Sequence, residues 1–207
     1  MLTSITIEDF LNKVASNSPA PGGGSVSALA ASLGSALISM VCRLTVGKKK
    51  YADVQSEIEN VLNKSEELRT ELTNIVDEDT AAFNKVMAAY GLPKDSEEQK
   101  KTRTEAVQQA TKEATTVPLK LMEFCSEAME LAKFVAEKGN QNSSSDAAVA
   151  VIMLRAGCDG ALMNVRTNLS LLTDGDFVAR TKIKADQIQN AVNYSSSEII
   201  ERINKLT

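Results

Sequence analysis

From Val54 to Tyr90 the sequence runs without a glycine or a proline, and its apolar residues recur at the helical interval. Ile58, Val61, Leu68, Leu72, Ile75, Val76, Phe83 and Val86 fall on one stripe, with Met87 and Tyr90 extending it. A straight helix of that length would reach about 55 Å and could serve as the spine of a helical domain. The 10 glycines and 4 prolines of the 207-residue chain are clustered, so the other segments are also long, and none sustains the period-two alternation of a half-buried strand. The chain therefore reads as all-α: a single domain over residues 1–207, a bundle of six or seven helices around one long central helix.

Local signals divide it. Ile7, Phe10, Leu11 and Val14 make a short amphipathic helix, and PAPGGG (Pro19–Gly24) is the strongest break. An Ala/Ser/Leu-rich segment follows to about Val46, with no charge between Val26 and Cys42. Its serines, and small residues such as Ala28, Ser32 and Ala36 four apart, favour close helix packing over a membrane span. Gly47 and Lys48–Lys50 end that helix, as a solvated cap or a contact for an anionic ligand. Ser96 with Gln99 forms a capping box. Pro118 is expected to kink the next helix or to begin another, which ends near Gly139. Asp146 reads as the N-cap of a helix to about Leu172, and a last amphipathic helix follows Gly175.

Composition narrows the chemistry. The chain has no histidine, which excludes Ser-His-Asp and Cys-His catalysis and imidazole-based zinc sites. Cys42, Cys125 and Cys158 are far apart among apolar neighbours, without metal or redox spacing, and read as buried thiols. No metal site is expected. A net charge of −4 argues against delocalised binding to nucleic acid. The N-terminus shows no basic region followed by an apolar core, so a cytoplasmic protein with no membrane association is expected.

Three features depart from a plain amphipathic pattern. Projected at 100° per residue, Asp79 lies roughly 15° from the direction of the apolar stripe, whereas Asp77 and Glu78 lie about 150° and 110° away and should face solvent. An inward carboxylate is either a structural group satisfied by a neighbouring helix or, with its pKa raised by burial, a general acid or base. Arg103 shares a stripe with Val107, Ala110, Ala114 and Val117 and would pair structurally, meet Asp79, or hold an anion. Asp146, Ala150, Gly157, Gly160, Asn164 and Asn168 project to one face, where the glycines admit either another helix or a flat ligand. The triple glycine offers free N–H groups at a helix start, suited to an anion or a polar heterocycle edge, or serves simply as a flexible lead-in.

In this order along the chain, PAPGGGSVSA, LTVGKKKY, VDEDTAAFNKVM, LPK, Arg103, VPL, GNQNSSSDA and NVRTNL resemble the cyclodeaminase domain of the formiminotransferase-cyclodeaminase family and the related stand-alone methenyltetrahydrofolate cyclohydrolases. The resemblance implies an all-helical homodimer acting on a tetrahydrofolate derivative, without metal or redox cofactor beyond that substrate. It implies 5-formimidoyltetrahydrofolate cyclodeaminase activity, which forms 5,10-methenyltetrahydrofolate and ammonia. The alternative is 5,10-methenyltetrahydrofolate cyclohydrolase activity yielding 10-formyltetrahydrofolate, and a second is a non-catalytic folate-binding or scaffold dimer. The family's catalytic aspartate lies in the DxDxxAF stretch, here Asp77 or Asp79, and the projection selects Asp79. By the same analogy Pro21, Gly22, Gly23, Gly24, Ser25, Arg103, Asp146 and Asn164 would bind substrate, and Lys48–Lys50 would attract a polyglutamate tail.

Overall fold

The computed structural model describes residues 1–205. Six helices follow in order: α1 (Ile7–Val14), α2 (Gly23–Arg43), α3 (Gln55–Tyr90), α4 (Glu97–Lys138), α5 (Ser144–Leu169) and α6 (Gly175–Asn204), with short 3-10 turns at Leu2–Ser4, Lys49–Val54 and Gln141–Ser143. No strand occurs among the described residues.

The centre of the bundle differs from the sequence expectation. The long α3 is not the spine. The middle is the antiparallel pair α2 and α5, with α3 on the other side of α2 and with α4 and α6 packed against α5. Small residues decide this. A Cβ built on Gly157 would stand 2.9 Å from both the Ala31 Cβ and the Ser27 carbonyl oxygen, and one on Gly34 would stand 2.9 Å from the Ala150 carbonyl oxygen. The two backbones therefore touch where no side chain fits, and the α5 glycines serve helix packing rather than a ligand. Ala28, Ala31, Ile38, Val41, Ala150, Val151 and Leu154 are fully buried around this seam.

Four of the five serines of α2 pair with α3, and Ser27 bonds only within its own helix, to the Gly23 carbonyl. Ser32 meets the Thr73 hydroxyl at 2.7 Å, Ser35 donates to the Ser65 carbonyl at 2.8 Å, and Ser39 meets the Ser65 hydroxyl at 2.7 Å. Buried hydroxyls so paired avoid the desolvation cost of polar groups in a core. By length and composition Gly23–Arg43 and Gln141–Leu169 could each cross a membrane, but within the bundle most of the first apolar window is buried.

Pro118 does not begin a new helix: α4 is continuous across it, 42 residues in all, and is longer than α3. A mid-helix proline leaves the carbonyl four residues back without its N–H partner. Here that carbonyl, on Ala114, accepts the side-chain amide of Asn168 from α5 at 3.2 Å. The cysteines are placed as expected: all three thiols are buried, and burial pushes Cys42 and Cys158 up to about 12.

Candidate active site

The α2 N-terminus has no side-chain cap, since its N-cap is Gly22. The carboxyl group of Asp79 on α3 occupies that position instead. It accepts a hydrogen bond from the Ser25 hydroxyl at 3.0 Å and another from the Ser25 backbone N–H. The Ser25 hydroxyl also lies 2.9 Å from the Val76 carbonyl oxygen and 3.2 Å from the Thr80 hydroxyl. Burial pushes the Asp79 carboxyl above the ordinary carboxylate range, and the two Ser25 hydrogen bonds oppose that rise without cancelling it. One serine proton cannot serve the Val76 carbonyl and Asp79 at once. When it is committed to the carbonyl, the Ser25 oxygen is free to accept a proton held by Asp79, so the geometry accommodates both protonation states.

Asp79 opens into a cleft of about 340 Å³. Its inner end is formed by Pro19, Ala20, Gly22, Gly23 and Gly24 with Asn164 of α5, and its wall by Phe83, Val86, Met87 and Tyr90 of α3. The same α3 stripe that packs the core at Leu72, Ile75 and Val76 becomes the cleft wall a few turns later, where no helix covers it; Met87 and Tyr90 are exposed. Asn164 donates to the Gly160 carbonyl at 2.9 Å and Asn168 to the Ala114 carbonyl. Both amides spend a donor on the backbone, which leaves their oxygens as acceptors in the cleft.

The structure brings together Gly22, Gly23, Gly24, Asp79 and Asn164. Ser25 and Pro21 are buried just behind this surface, so neither lines it; Ser25 reaches the cleft only through Asp79. Asp146 is not at this site. It stands in the first turn of α5, whose N-cap is Ser143, about 27 Å along the helix from Asn164. Lys48–Lys50 follow the far end of α2, about 30 Å along that helix from the glycines. A shared angular face on a helix says nothing about distance along it, which is why the projection joined Asp146 to Asn164.

Arg103 does not meet Asp79: its Nε donates to the Tyr90 carbonyl at 3.0 Å and its guanidinium lies 5.5 Å from the Tyr90 ring centre. Asp77 does not face solvent freely, since it accepts the Leu2 N–H at 2.6 Å and the Thr3 hydroxyl at 3.3 Å, tying down the N-terminal turn. Glu78 pairs with Lys120 at 3.6 Å. Phe83, Thr167 and Leu171 were not foreseen as cleft residues, and Asn168 was singled out only for sharing a face with Asn164; the position of Phe83 beside Asp79 on the apolar stripe was the available signal.

Residues 6–187 match the family model described as formiminotransferase-cyclodeaminase. A methenyltetrahydrofolate cyclohydrolase of Methylorubrum extorquens is 49% identical over 172 residues, 83% of each chain. The formimidoyltransferase-cyclodeaminase of Rattus norvegicus is 36% identical over 181 residues, which are 87% of this chain but 34% of that longer protein. The crystal structure of formiminotetrahydrofolate cyclodeaminase from Thermotoga maritima superposes with a TM-score of 0.90 at 28% identity, covering 100% of this chain and 99% of that one. The helical bundle with its glycine-lined cleft is thus of the cyclodeaminase kind. The chain belongs to the formiminotransferase-cyclodeaminase family.

Proposed function

We propose that this chain is a folate one-carbon enzyme, a 5,10-methenyltetrahydrofolate cyclohydrolase with Asp79 as its general base and acid. The observation that carries the chemistry is the Asp79 carboxyl group, half-buried and raised in pKa, facing a cleft beside the uncapped start of α2. The cyclohydrolase, rather than the cyclodeaminase, is favoured by the 49% identity to a cyclohydrolase over most of both chains.

In this reading water attacks the methenyl carbon while ionised Asp79 takes one of its protons. A C–O bond forms, and the electron pair of the C=N bond moves onto nitrogen. Asp79 then returns the proton to N5, the C–N5 bond breaks, and the remaining hydroxyl proton leaves as the 10-formyl group forms. One water is consumed and one proton released. The N–H groups of Gly23 and Gly24 and the amide oxygens of Asn164 and Asn168 supply donors and acceptors for the edge of the pterin. Phe83, Val86 and Met87 offer an apolar wall to the aminobenzoyl ring of the folate. The substrate brings the one-carbon unit, and no metal or further cofactor is needed.

Cyclodeaminase activity is the second reading, favoured by the full-length superposition on the Thermotoga enzyme. There N10 attacks the carbon of the protonated formimidoyl group, Asp79 carries the N10 proton to the departing nitrogen, and ammonia leaves as the methenyl cation forms. A cytoplasmic homodimer completes the proposal. α2 and α5 expose Val26, Leu33, Val149, Ile152 and Met163, and Leu33 and Val149 share an apolar depression with Leu37, Met40 and Met153, a surface suited to a second copy. Purified protein incubated separately with 5-formimidoyl- and 5,10-methenyltetrahydrofolate tests the reaction by the methenyl chromophore. Accelerated loss with the second substrate is expected; appearance with the first establishes the cyclodeaminase instead, and no change with either substrate overturns the assignment.

A further inference from the structure

The arginines of this chain are almost all committed. Arg43, Arg69, Arg155, Arg166 and Arg202 lie 2.6 to 3.7 Å from carboxylate oxygens. Arg180 adds to the positive field at Asp174. Arg103, like Arg180, has no carboxylate within ion-pair distance among the described residues, although acidic residues surround it in sequence; of the two, Arg103 is the one that touches a residue lining the cleft. Its near neighbours Glu97 and Glu105 are taken by Lys100 at 2.6 Å and Lys101 at 4.0 Å.

Its position is nevertheless fixed. The Nε–H is spent on the Tyr90 carbonyl at the end of α3, and the guanidinium lies over the Tyr90 ring. That leaves the two terminal nitrogens, a planar fork suited to a carboxylate, one aromatic ring away from the cleft that Tyr90 lines. Holding an arginine by its Nε and by stacking removes much of the rotamer entropy that binding would otherwise cost.

The spacing supplies the second argument, which rests on the folate reading above. Asp79 and Tyr90 are separated by about 16 Å along α3, with Phe83, Val86 and Met87 between them. From the methenyl carbon of a folate, across its aminobenzoyl ring and amide, to the glutamate carboxylates is about 12 Å by ordinary bond lengths. With the one-carbon unit at Asp79 and the ring on the apolar wall, the tail ends near the level of Met87, one helical turn short of Tyr90 and within the reach of an arginine side chain held over the Tyr90 ring.

We propose that Arg103, stacked on Tyr90, binds a glutamate carboxylate of the folate at the outer end of the cleft and so selects glutamyl over pteroyl ligands. The basic run Lys48–Lys50, at the other end of α2, takes no part within one chain.

Calorimetric titration with 5-formyltetrahydrofolate and with its counterpart lacking glutamate, 5-formyltetrahydropteroate, tests this. The intact protein should prefer the glutamyl form by about tenfold or more. Arg103→Gln should raise its Kd by about tenfold and narrow the preference by the same factor, with Arg103→Lys falling between because it keeps charge but not the fork. Equal weakening of both ligands marks a merely structural arginine and overturns the proposal, as does a wild-type protein that does not discriminate. A protein that discriminates through Arg103 yet turns over neither one-carbon substrate overturns the reaction and leaves the tail site standing.

Discussion

The Asp79 carboxyl group rests directly against the Cα of Gly24. A Cβ at that position would lie 2.5 Å from Asp79 Cγ and nearer still to Oδ1. Gly24 is helical, so it is glycine for want of space rather than for an unusual backbone angle. Gly24→Ala should leave the helix intact, since alanine is the better helix former by about 1 kcal/mol, but should push the carboxyl out of its place. Turnover is expected to fall by about a hundredfold or more with a melting temperature close to wild type. Full activity in this variant would detach the Gly24 contact from catalysis.

Asp79→Asn removes the proposed proton carrier while keeping the shape. The expected loss of kcat is about a hundredfold to ten-thousandfold, with folate binding retained. Stability should move the other way. The folded-state pKa of Asp79 is raised above its ordinary 3.8. Between that value and the folded one the native state binds more protons than the unfolded state, so stability declines as pH rises through the window. The asparagine variant lacks this penalty. Its stability relative to wild type should therefore be greatest near neutrality and shrink as pH falls towards 3.8, which urea unfolding at several pH values would reveal.

The α2/α5 seam offers a graded test of packing. A methyl at Gly157 meets the Ser27 backbone carbonyl and the Ala31 Cβ, both at 2.9 Å, neither of which can rotate away. A methyl at Gly160 meets chiefly the Ser27 hydroxyl, which can. Gly157→Ala should cost about 1–3 kcal/mol, and Gly160→Ala distinctly less. The reverse order in denaturant melts would contradict this account of the seam.

Asn168 should matter most to a proline. Its amide satisfies the Ala114 carbonyl that Pro118 leaves without a partner. Asn168→Leu is expected to destabilise the protein by about 1–3 kcal/mol, the cost of a buried unpaired acceptor. In a Pro118→Ala background the loss should shrink, because the helix then supplies its own N–H. A double-mutant cycle with no coupling between the two sites would refute the link.

The outer apolar face gives a prediction about assembly. Leu33→Glu together with Ile152→Glu should convert a dimer to a monomer in sedimentation, because two carboxylates would be buried unpaired. A wild-type protein that already sediments as one copy would remove the dimer from the proposal.

Much was legible in one dimension. Helix boundaries followed from local chemistry: the capping box at Ser96 and Gln99 is present as the sequence implies, and α3 ends at Tyr90, just before Gly91. The inward direction of Asp79 was legible because it needed only the helical period and an apolar stripe to measure against. Its failure for Asp146 had the same origin, since angular position around α5 is local whereas the cleft is set by which end of α5 meets α2 and α3. That α4 continues through Pro118 was not legible, because the partner for the freed carbonyl sits 50 residues later in the chain, on another helix.

The sequence by itself determined the helices, their exposed and buried faces, the family, and the one carboxylate that turns inward, since each depends on near neighbours along the chain or on residue identity. Only the tertiary structure decided that α2 and α5 form the centre, that Asp79 caps a foreign helix, and that Arg103 stacks on Tyr90 rather than on Asp79. Those outcomes depend on how closely two backbones can approach, and that distance is set by pairs of small residues on different helices, which no periodicity within either helix can reveal.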